Sequence, residues 1–455
     1  MTRFAPSGPL RGSIQPPPDK SISHRAALIG AMGEGVTAIE GYLDAGDTRA
    51  TLAAIQRLGA QLEELGPSSA AGDRDLRVRG VGLRGPGERL APDAGPVAID
   101  VENAGTLLRI LPGWLAGQRT GAWTLDGDES IRRRPVDRVA EPLRMMGAGV
   151  ECRDRRLPPL RVEGSALHGL VYELPVASAQ VKSCVLIAGL LAEGETAVVE
   201  PAVTRDHTER MLTAAGGQVE VRELRATAAQ HSGPVRRIVV RPAERLSPER
   251  ISVPGDFSSA AFVLVAAAVV PRSRVRLEQV GLNPTRVGLL GVLNRMGAAV
   301  EVEEDPAPGG PEPLGAIVAR HGPLAGTRVH DDEVPLAIDE LPLVALLGSF
   351  AEGRTVVSGA GELRHKESDR IVGVVEGLRG IGAEIEATDD GFTVLGTGGL
   401  RGGKLDARGD HRMAMLGAVA GLASRDGVDV VGAEAAGISY PRFESDLASL
   451  LEGSG

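Results

Sequence analysis

The chain has 455 residues and a mass of 47.2 kDa, about three times a typical domain, so more than one core is expected. Aromatic residues make up 2% of it, too few for the stacking platforms of single-stranded nucleic-acid binders. With 50 Lys+Arg against 60 Asp+Glu the net charge is -10, which argues against a surface that coats a phosphate backbone and assigns any anionic ligand to a local basic pocket.

The N-terminal MTRFAPSGPL lacks an apolar leader, and the longest apolar run, Ala260 to Val270, is far shorter than a bilayer crossing needs. Cys152 and Cys184 make neither a CxxC pair nor a disulfide framework. A cytoplasmic protein with no membrane or nucleic-acid partner is therefore expected. Of the 50 basic residues only Lys20, Lys182, Lys366 and Lys404 are lysines. A compact ammonium does things a guanidinium cannot, so each of these is a candidate functional position.

Taken in chain order, one pattern recurs six times: a polar cluster, a long apolar run, a Gly or turn, then a β-branched strand. The copies open at Lys20 (KSISHRAALIGAM), Asn103 (NAGTLLRILPGWLAG), Ser178 (SAQVKSCVLIAGLLA), Asp256 (DFSSAAFVLVAAAVV), Ile338 (IDELPLVALLGSFA) and Asp410 (DHRMAMLGAVAGLA). Between them runs a short helix ending in Gly before a strand. This places Gly59, Gly147, Gly216, Gly297 and Gly382 where a helix C-cap needs a left-handed residue.

The repeats imply an α/β architecture of two pseudo-equivalent halves with three units each. Residues 20–252 make the first half and 253–455 the second, divided at Ser252-Val253-Pro254-Gly255. Residues 1–19 precede the first repeat and are expected to complete the C-terminal half, giving two chain crossings. The apolar runs are too hydrophobic for surface helices and should be buried on nearly all faces. Each opens with polar residues at its N-terminus, where free N–H groups and the helix dipole attract anions. Several such ends converging on one cleft between the halves would bind a multiply anionic ligand, and two crossings would allow closure over it.

Two familiar patterns fail on context. Gly80 to Gly85 fits GxGxxG, but Pro86 and the Gly/Pro-rich residues after it open no helix, so the stretch reads as a turn. Gly398 to Lys404 fits GxxxxGK, but Leu405 stands where a P-loop needs Ser or Thr. No His pair has zincin spacing and neither Cys has a ligand set, so no metal site is expected.

Four polar groups remain. KSISHR puts Lys20, Ser21, His24 and Arg25 at the head of a buried helix, as a structural ion pair or as an anion site. GDESIRRRP places three arginines before Pro135, as an exposed basic turn or as ligand contacts. ELRHKESDR gathers Lys366, Glu367, Asp369 and Arg370 within about one turn, as a solvated helix face or as part of a site. IDE and DHR put Asp339, Glu340, Asp410, His411 and Arg412 at the heads of two apolar helices, as caps or as functional groups. Together they imply a site with Arg and Lys for phosphates and carboxylates, and Asp, Glu and His for proton transfer.

In this order the segments KSISHR, NAGT, GDESIRRRP, SAQVKS, TRDHTERM, PGDFSSAAF, NPTR, IDELP, ELRHKESDRI, DHRMAM and YPRF resemble the enolpyruvyl transferase superfamily. Within it they resemble the 3-phosphoshikimate 1-carboxyvinyltransferase (EPSP synthase) family over nearly the whole chain. The resemblance implies a two-lobed inside-out α/β barrel of six βαβαββ-type units, three per lobe, with the active site in the cleft between lobes. It also implies transfer of the enolpyruvyl group from phosphoenolpyruvate to the 5-hydroxyl of shikimate 3-phosphate, through a tetrahedral addition–elimination intermediate in the shikimate pathway. Those two small molecules are the expected partners, a monomer is expected, and no organic cofactor or metal is called for.

Carried over by motif, Lys20, Ser21, Arg25, Ser178, Ala179, Gln180, Arg205, Asp339 and Lys366 should contact shikimate 3-phosphate. Lys20, Gly105, Arg134, Gln180, Arg370 and Arg412 should hold phosphoenolpyruvate. Asp339 is the expected base on the 5-hydroxyl and Glu367 the expected acid toward the methylene carbon, with Lys20 sharing these duties and His411 secondary. Ala179 stands where many relatives carry a second Ser, Glu102 where a Gly is usual, and Ser439 where some carry Lys. SAQVKS resembles the glyphosate-tolerant subgroup whereas Gly105 resembles the sensitive one, so sensitivity to that inhibitor stays open. Two rivals are kept: a UDP-N-acetylglucosamine enolpyruvyl transferase of the same fold, whose loop cysteine has no counterpart here, and a non-catalytic phospho-ligand binding protein.

Overall fold

The computed structural model describes residues 1–66, 73–90, 95–224, 235–307 and 309–452. The chain divides into two compact units. The first comprises Pro18–Val253 with Gly309–Pro311, and the second Met1–Pro17, Pro254–Pro308 and Glu312–Gly455.

The first unit carries helices α1 (Lys20–Met32), α2 (Gly46–Arg57), α3 (Gly105–Ala116), α4 (Asp137–Met145), α5 (Ala179–Gly189) and α6 (His207–Ala214). The second carries α7 (Phe257–Val269), α8 (Gly288–Arg295), α9 (Leu341–Phe350), α10 (Arg370–Gly380), α11 (His411–Ala423) and α12 (Phe443–Glu452). The odd-numbered helices are the apolar runs of the six repeats. They are sheathed almost completely: every residue of α7 is buried, and so are Ile22 to Met32 of α1 and His411 to Leu422 of α11. A helix without a wet face cannot be placed by amphipathicity, and these pack in the interior of their unit with the sheets outside.

Among the described residues each unit has three sheets on one plan. In the first unit Val97–Asp100 runs parallel to Ala122–Asp126, joined through α3, and Leu157–Glu163 and Gly149–Arg153 complete the sheet antiparallel. Val171–Glu173, Thr196–Glu200, Val235–Val240 and Val219–Leu224 repeat that order around α5. The sheet beyond α1 takes its parallel strand from Arg250–Ser252, which pairs with Val36–Leu43. In the second unit Arg11–Ile14 supplies the strand parallel to Arg274–Gly281. The last sheet has three strands, with Thr2–Phe4 antiparallel to Val428–Val431 where the other sheets add a hairpin. Strand segments before the first repeat and after the third thus close sheets that their own local sequence leaves incomplete.

The five punctuating glycines all have positive φ: 99° at Gly59, 102° at Gly147, 91° at Gly216, 78° at Gly297 and 101° at Gly382. Each follows one of the even-numbered helices from α2 to α10 and turns the chain into its strand, a conformation that costs other residues on the order of 1–2 kcal/mol.

Helices α3 and α5 approach closely because Gly113 has no side chain: a Cβ there would stand 2.2 Å from the Cys184 carbonyl oxygen. Gly113→Ala therefore forces two backbones apart and should cost about 1–3 kcal/mol. Gly291→Ala on α8, whose Cβ would meet nothing nearer than 4.0 Å, should instead stabilise by roughly 0.5–1 kcal/mol. Urea unfolding of both variants checks this. Equal midpoints would mean that the α3–α5 contact yields freely.

Candidate active site

In the first unit the head of α1 is built by Asp19, whose carboxylate caps the helix by accepting from the Ile22 N–H. Lys20 in the first turn places its ammonium 3.0 Å from Asp47 of α2, an acid that offsets the cost of a cation at a positive helix end. Arg25 donates to the Ser21 carbonyl at 2.9 Å, to Thr208 Oγ1 at 2.7 Å and to Ser183 Oγ at 2.9 Å. It thus ties α1 to α5 and α6. His24 points elsewhere, with Nδ1 2.6 Å from Thr51 Oγ1.

Ser178 caps α5, accepting from the Val181 N–H at 3.4 Å, and the Ala179 carbonyl accepts from Ser183 Oγ at 2.7 Å. Gln180 donates to Thr106 Oγ1 at 3.1 Å, and its amide oxygen accepts from Arg109 at 3.4 Å. Gly105 opens α3 directly against two guanidinium groups: a Cβ would lie 2.7 Å from Arg134 Nη1 and 3.1 Å from Arg109 Nη1. Arg134 is buried and donates to Ser130 at 3.3 Å, while its neighbours Arg132 and Arg133 are exposed and paired with Asp126 and Glu129. Arg205 is half-buried in the segment between strand Thr196–Glu200 and α6. So Gly105, Arg134 and Gln180 form one linked group, and Arg25 joins Ser21 to α5 and α6. Glu102, just before NAGT, has φ 49°, the left-handed backbone that accounts for a Gly preference at this place.

The second unit gathers every remaining predicted residue. Asp339 lies 3.3 Å from Lys366, 3.2 Å from Arg370 and 3.8 Å from both Arg286 and Arg412. Arg370 is 1% exposed and also pairs with Glu367 at 2.6 Å and Asp410 at 2.8 Å. Arg412 donates to the Asp339 carbonyl at 3.3 Å and to the Ser258 hydroxyl. His411 is buried beside it at the head of α11, which Asp410 caps by accepting from the Arg412 N–H. The ELRHKESDR segment is not one charged helix face. A single 3-10 turn spans Gly361–His365, Lys366 to Ser368 are irregular, and α10 begins only at Arg370, capped by Asp369. That break lets Lys366, Glu367 and Arg370 meet Asp339 together.

Several residues of these clusters carry no role in the sequence reading. Arg286 bridges Asp256 at 3.4 Å and Glu340 at 3.1 Å, and Glu340 also accepts from the Ser258 hydroxyl. They form a charged layer beside Asp339 and Arg412. Arg109 and Thr106 do the same for Gln180. Their signal was present in the NPTR, PGDFSS and NAGTLLR segments, but contacts spanning 54 residues, as between Arg286 and Glu340, follow no local spacing. Of the four lysines, Lys20 and Lys366 stand in the clusters, Lys182 in a buried ion triad with Glu200 and Glu209, and Lys404 on an exposed strand. That strand follows the GxxxxGK pattern where a P-loop would need a helix.

Burial works against the charge on Arg370, but Asp410, Glu367 and Asp339 outweigh it and hold the group more firmly protonated than usual. Burial likewise opposes the Asp410 charge, and Arg370 reverses the effect, leaving its pKa below the ordinary value. Asp256 is lowered the same way against burial, by Arg286 and Arg412. The Cys184 thiol is pushed up to about 12 by burial, which removes it as a nucleophile near neutral pH. Among the described residues no group of three or more His, Cys, Asp or Glu is placed to hold a metal ion, and no helix is long and apolar enough to cross a membrane.

The comparisons with known proteins agree along the whole chain. A family model described as EPSP synthase (3-phosphoshikimate 1-carboxyvinyltransferase) matches residues 4–447. A protein of Synechococcus sp. (strain JA-3-3Ab) named 3-phosphoshikimate 1-carboxyvinyltransferase is 45% identical over 99% of this chain and 97% of its own. One of the same name from Methylococcus capsulatus is 45% identical over 96% of this chain and 94% of its own. Among solved structures, an EPSP synthase from Acinetobacter baumannii superposes with a TM-score of 0.81 at 38% identity, covering 98% of this chain and 97% of that one. The enolpyruvyl transferase NikO from Streptomyces tendae, at 16% identity, 98% and 96% coverage and a TM-score of 0.71, shares the fold.

His24 yields a pH prediction. Burial lowers its pKa from 6.5 to about 3, Asp47 opposing and Lys20 and Arg25 adding to the effect. The unfolded chain binds this proton near pH 6.5 and the folded chain does not, so the contribution of neutral His24 is complete above that pH. It is lost as pH falls from 6.5 toward 3, by on the order of 5 kcal/mol in all. Urea unfolding of wild type and His24→Gln from neutral pH down to about pH 4 should show the steeper loss in wild type. Parallel curves would mean that His24 is not held neutral.

Proposed function

The chain belongs to the EPSP synthase family, and from that premise we infer that it transfers the enolpyruvyl group of phosphoenolpyruvate to the 5-hydroxyl of shikimate 3-phosphate, releasing phosphate. The observation that carries the chemistry is the carboxylate of Asp339 within 4 Å of Lys366, Arg370, Arg286 and Arg412, with Glu367 on the same Arg370. Such a cluster suits a dianionic or trianionic substrate whose reaction also needs protons moved.

In the proposed mechanism Lys20, Ser21, Arg25, Ser178, the backbone of Ala179, Gln180, Arg205 and Lys366 bind shikimate 3-phosphate. Gly105, Arg134, Arg370 and Arg412, with Lys20 and Gln180, hold phosphoenolpyruvate. Asp339 takes the 5-hydroxyl proton as the oxygen attacks the central carbon of phosphoenolpyruvate, and Glu367, protonated from solvent once substrate displaces it from Arg370, gives its proton to the methylene carbon. The tetrahedral adduct then loses phosphate: Glu367 removes a proton from the new methyl group, restoring the vinyl ether, and the departing phosphate leaves among Lys and Arg side chains with the proton that Asp339 had taken. Lys20 and His411 assist these transfers. The arginines neutralise carboxylate and phosphate charge throughout, and they start out paired with acids, so substrate anions must displace Asp339 and Glu367 from them. The enzyme is read as a cytoplasmic monomer working without metal or organic cofactor, a step of aromatic amino acid biosynthesis.

Two outcomes are expected. Purified protein given phosphoenolpyruvate should release phosphate only when shikimate 3-phosphate is present, and the product should have the mass of the enolpyruvyl ether. Release only with UDP-N-acetylglucosamine would keep the fold and reassign the acceptor, and silence with both would favour a binding protein. Asp339→Ala should lower kcat about a hundredfold or more, as loss of a general base does, with a modest loss of shikimate 3-phosphate binding by calorimetry; turnover at the wild-type rate would remove Asp339 from the mechanism.

A further inference from the structure

We propose that Lys182 is a positioning residue for the shikimate 3-phosphate side of the site, acting through Arg25 and Arg205; the proposal rests on the functional reading above. Lys182 lies on α5 with its side chain fully buried. Its ammonium is 2.9 Å from Glu200 Oε2, 2.7 Å from Glu209 Oε1 and 3.4 Å from the Thr204 carbonyl. Glu200 ends a strand, Glu209 belongs to α6, and Thr204 immediately precedes Arg205. Thr204 is held further: its N–H and its hydroxyl both donate to Glu200 Oε2, at 3.3 and 2.7 Å. The segment that presents Arg205 is therefore fastened to the lysine through its carbonyl and through Glu200.

A neighbouring residue on each helix carries the tie to Arg25. Ser183 follows Lys182 and Thr208 precedes Glu209, and their hydroxyls lie 2.6 Å apart. Arg25 donates to both. The ion pair 182–209 and the hydroxyl pair 183–208 are adjacent rungs between α5 and α6, so sliding either helix breaks both. Without the ammonium two buried carboxylates would repel across this interface.

The arrangement holds geometry where simpler packing would hold the fold. Apolar residues of like volume commonly match or exceed a buried ion pair in stability. Here the triad leaves two acids to one base, and Glu209 Oε2 has no hydrogen-bond partner among the described residues. Charge-assisted bonds are directional and fix the register of the groups that carry them. The choice of residue agrees: in a chain with four lysines among 50 basic residues, the compact ammonium stands where a single donor group meets two carboxylates and a carbonyl from different elements.

The test compares wild type, Lys182→Met and the charge-balanced Lys182→Met/Glu200→Gln/Glu209→Gln. The triple variant leaves no buried unpaired charge and should keep its urea midpoint even if the single variant fails to fold. Its KM for shikimate 3-phosphate should rise roughly tenfold to a hundredfold, as misplacement by about 1 Å does. KM for phosphoenolpyruvate and kcat should stay within about threefold of wild type. Amide hydrogen exchange in residues 201–214 should quicken, which reads the fastening whatever the substrate. Unchanged KM and unchanged exchange in the folded triple variant would overturn the proposal, as would a parallel shift of kcat and both KM values. Failure of the triple variant to fold would also overturn it, since the triad would then serve the fold itself. Wild type inert toward shikimate 3-phosphate would sink the functional reading instead, with the exchange data still deciding whether Lys182 fastens the Arg205 segment.

Discussion

A helix buried on every face can offer chemistry only at its ends, and that constraint organises both units of this protein. Phe257 to Val269 has no face left for a ligand, and the same holds for most of α1 and α11. The polar groups of the site are therefore gathered in the first two turns: Lys20, Ser21 and Arg25 on α1, Gly105 and Thr106 on α3, Gln180 on α5, and His411 and Arg412 on α11. These are also the ends where free N–H groups and the helix dipole favour negative charge. Burial of the helices and the choice of an anionic ligand are consequences of one arrangement.

Cations at such ends are unfavourable unless acids accompany them, and the acids do two jobs. Asp19, Asp256, Asp369 and Asp410 cap α1, α7, α10 and α11 by accepting backbone N–H groups. Asp410 also takes Arg370, and Asp256 takes Arg286. A single carboxylate thus satisfies a helix terminus and fixes the direction of a guanidinium. Arg370, at 1% exposure, is tolerable only because three carboxylates meet it.

Much of this is legible in the sequence because repetition amplifies weak signals. One apolar run followed by Gly says little, whereas six runs and five left-handed glycines define the helices, their burial and their heads. The family segments likewise marked Asp339, Lys366, Glu367, Arg370, His411 and Arg412, which the fold brings into one cluster. What the sequence hides is pairing at long range. Arg286 with Glu340, Arg25 with Ser183 and Thr208, and Lys182 with Glu209 join residues on different elements, and no spacing rule connects them. Local breaks are hidden too: ELRHKESDR has the composition of a charged helix, and only the tertiary demand of Arg370 for Asp410 and Asp339 explains why the helix starts so late. The want of Lys at Ser439 finds no explanation in the structure.

On the proposed reading, the acids that neutralise the arginines are also the groups that move protons, and this links binding to catalysis. Asp339 and Glu367 both spend charge on Arg370. A phosphate or carboxylate reaching that guanidinium offers a bidentate partner of equal or greater charge. The exchange is close to balanced in Coulomb energy because one anion replaces another at similar distance, so the site need not bind substrate by a large net attraction. Its effect falls on the displaced carboxylates, which lose a hydrogen-bonded cation and rise in pKa, so that Asp339 becomes a stronger base toward the hydroxyl and Glu367 takes up the proton it gives to the methylene. The reactive form of the acid–base pair is then produced by the substrate itself, and a molecule lacking the anionic groups would leave Asp339 and Glu367 tied to their arginines.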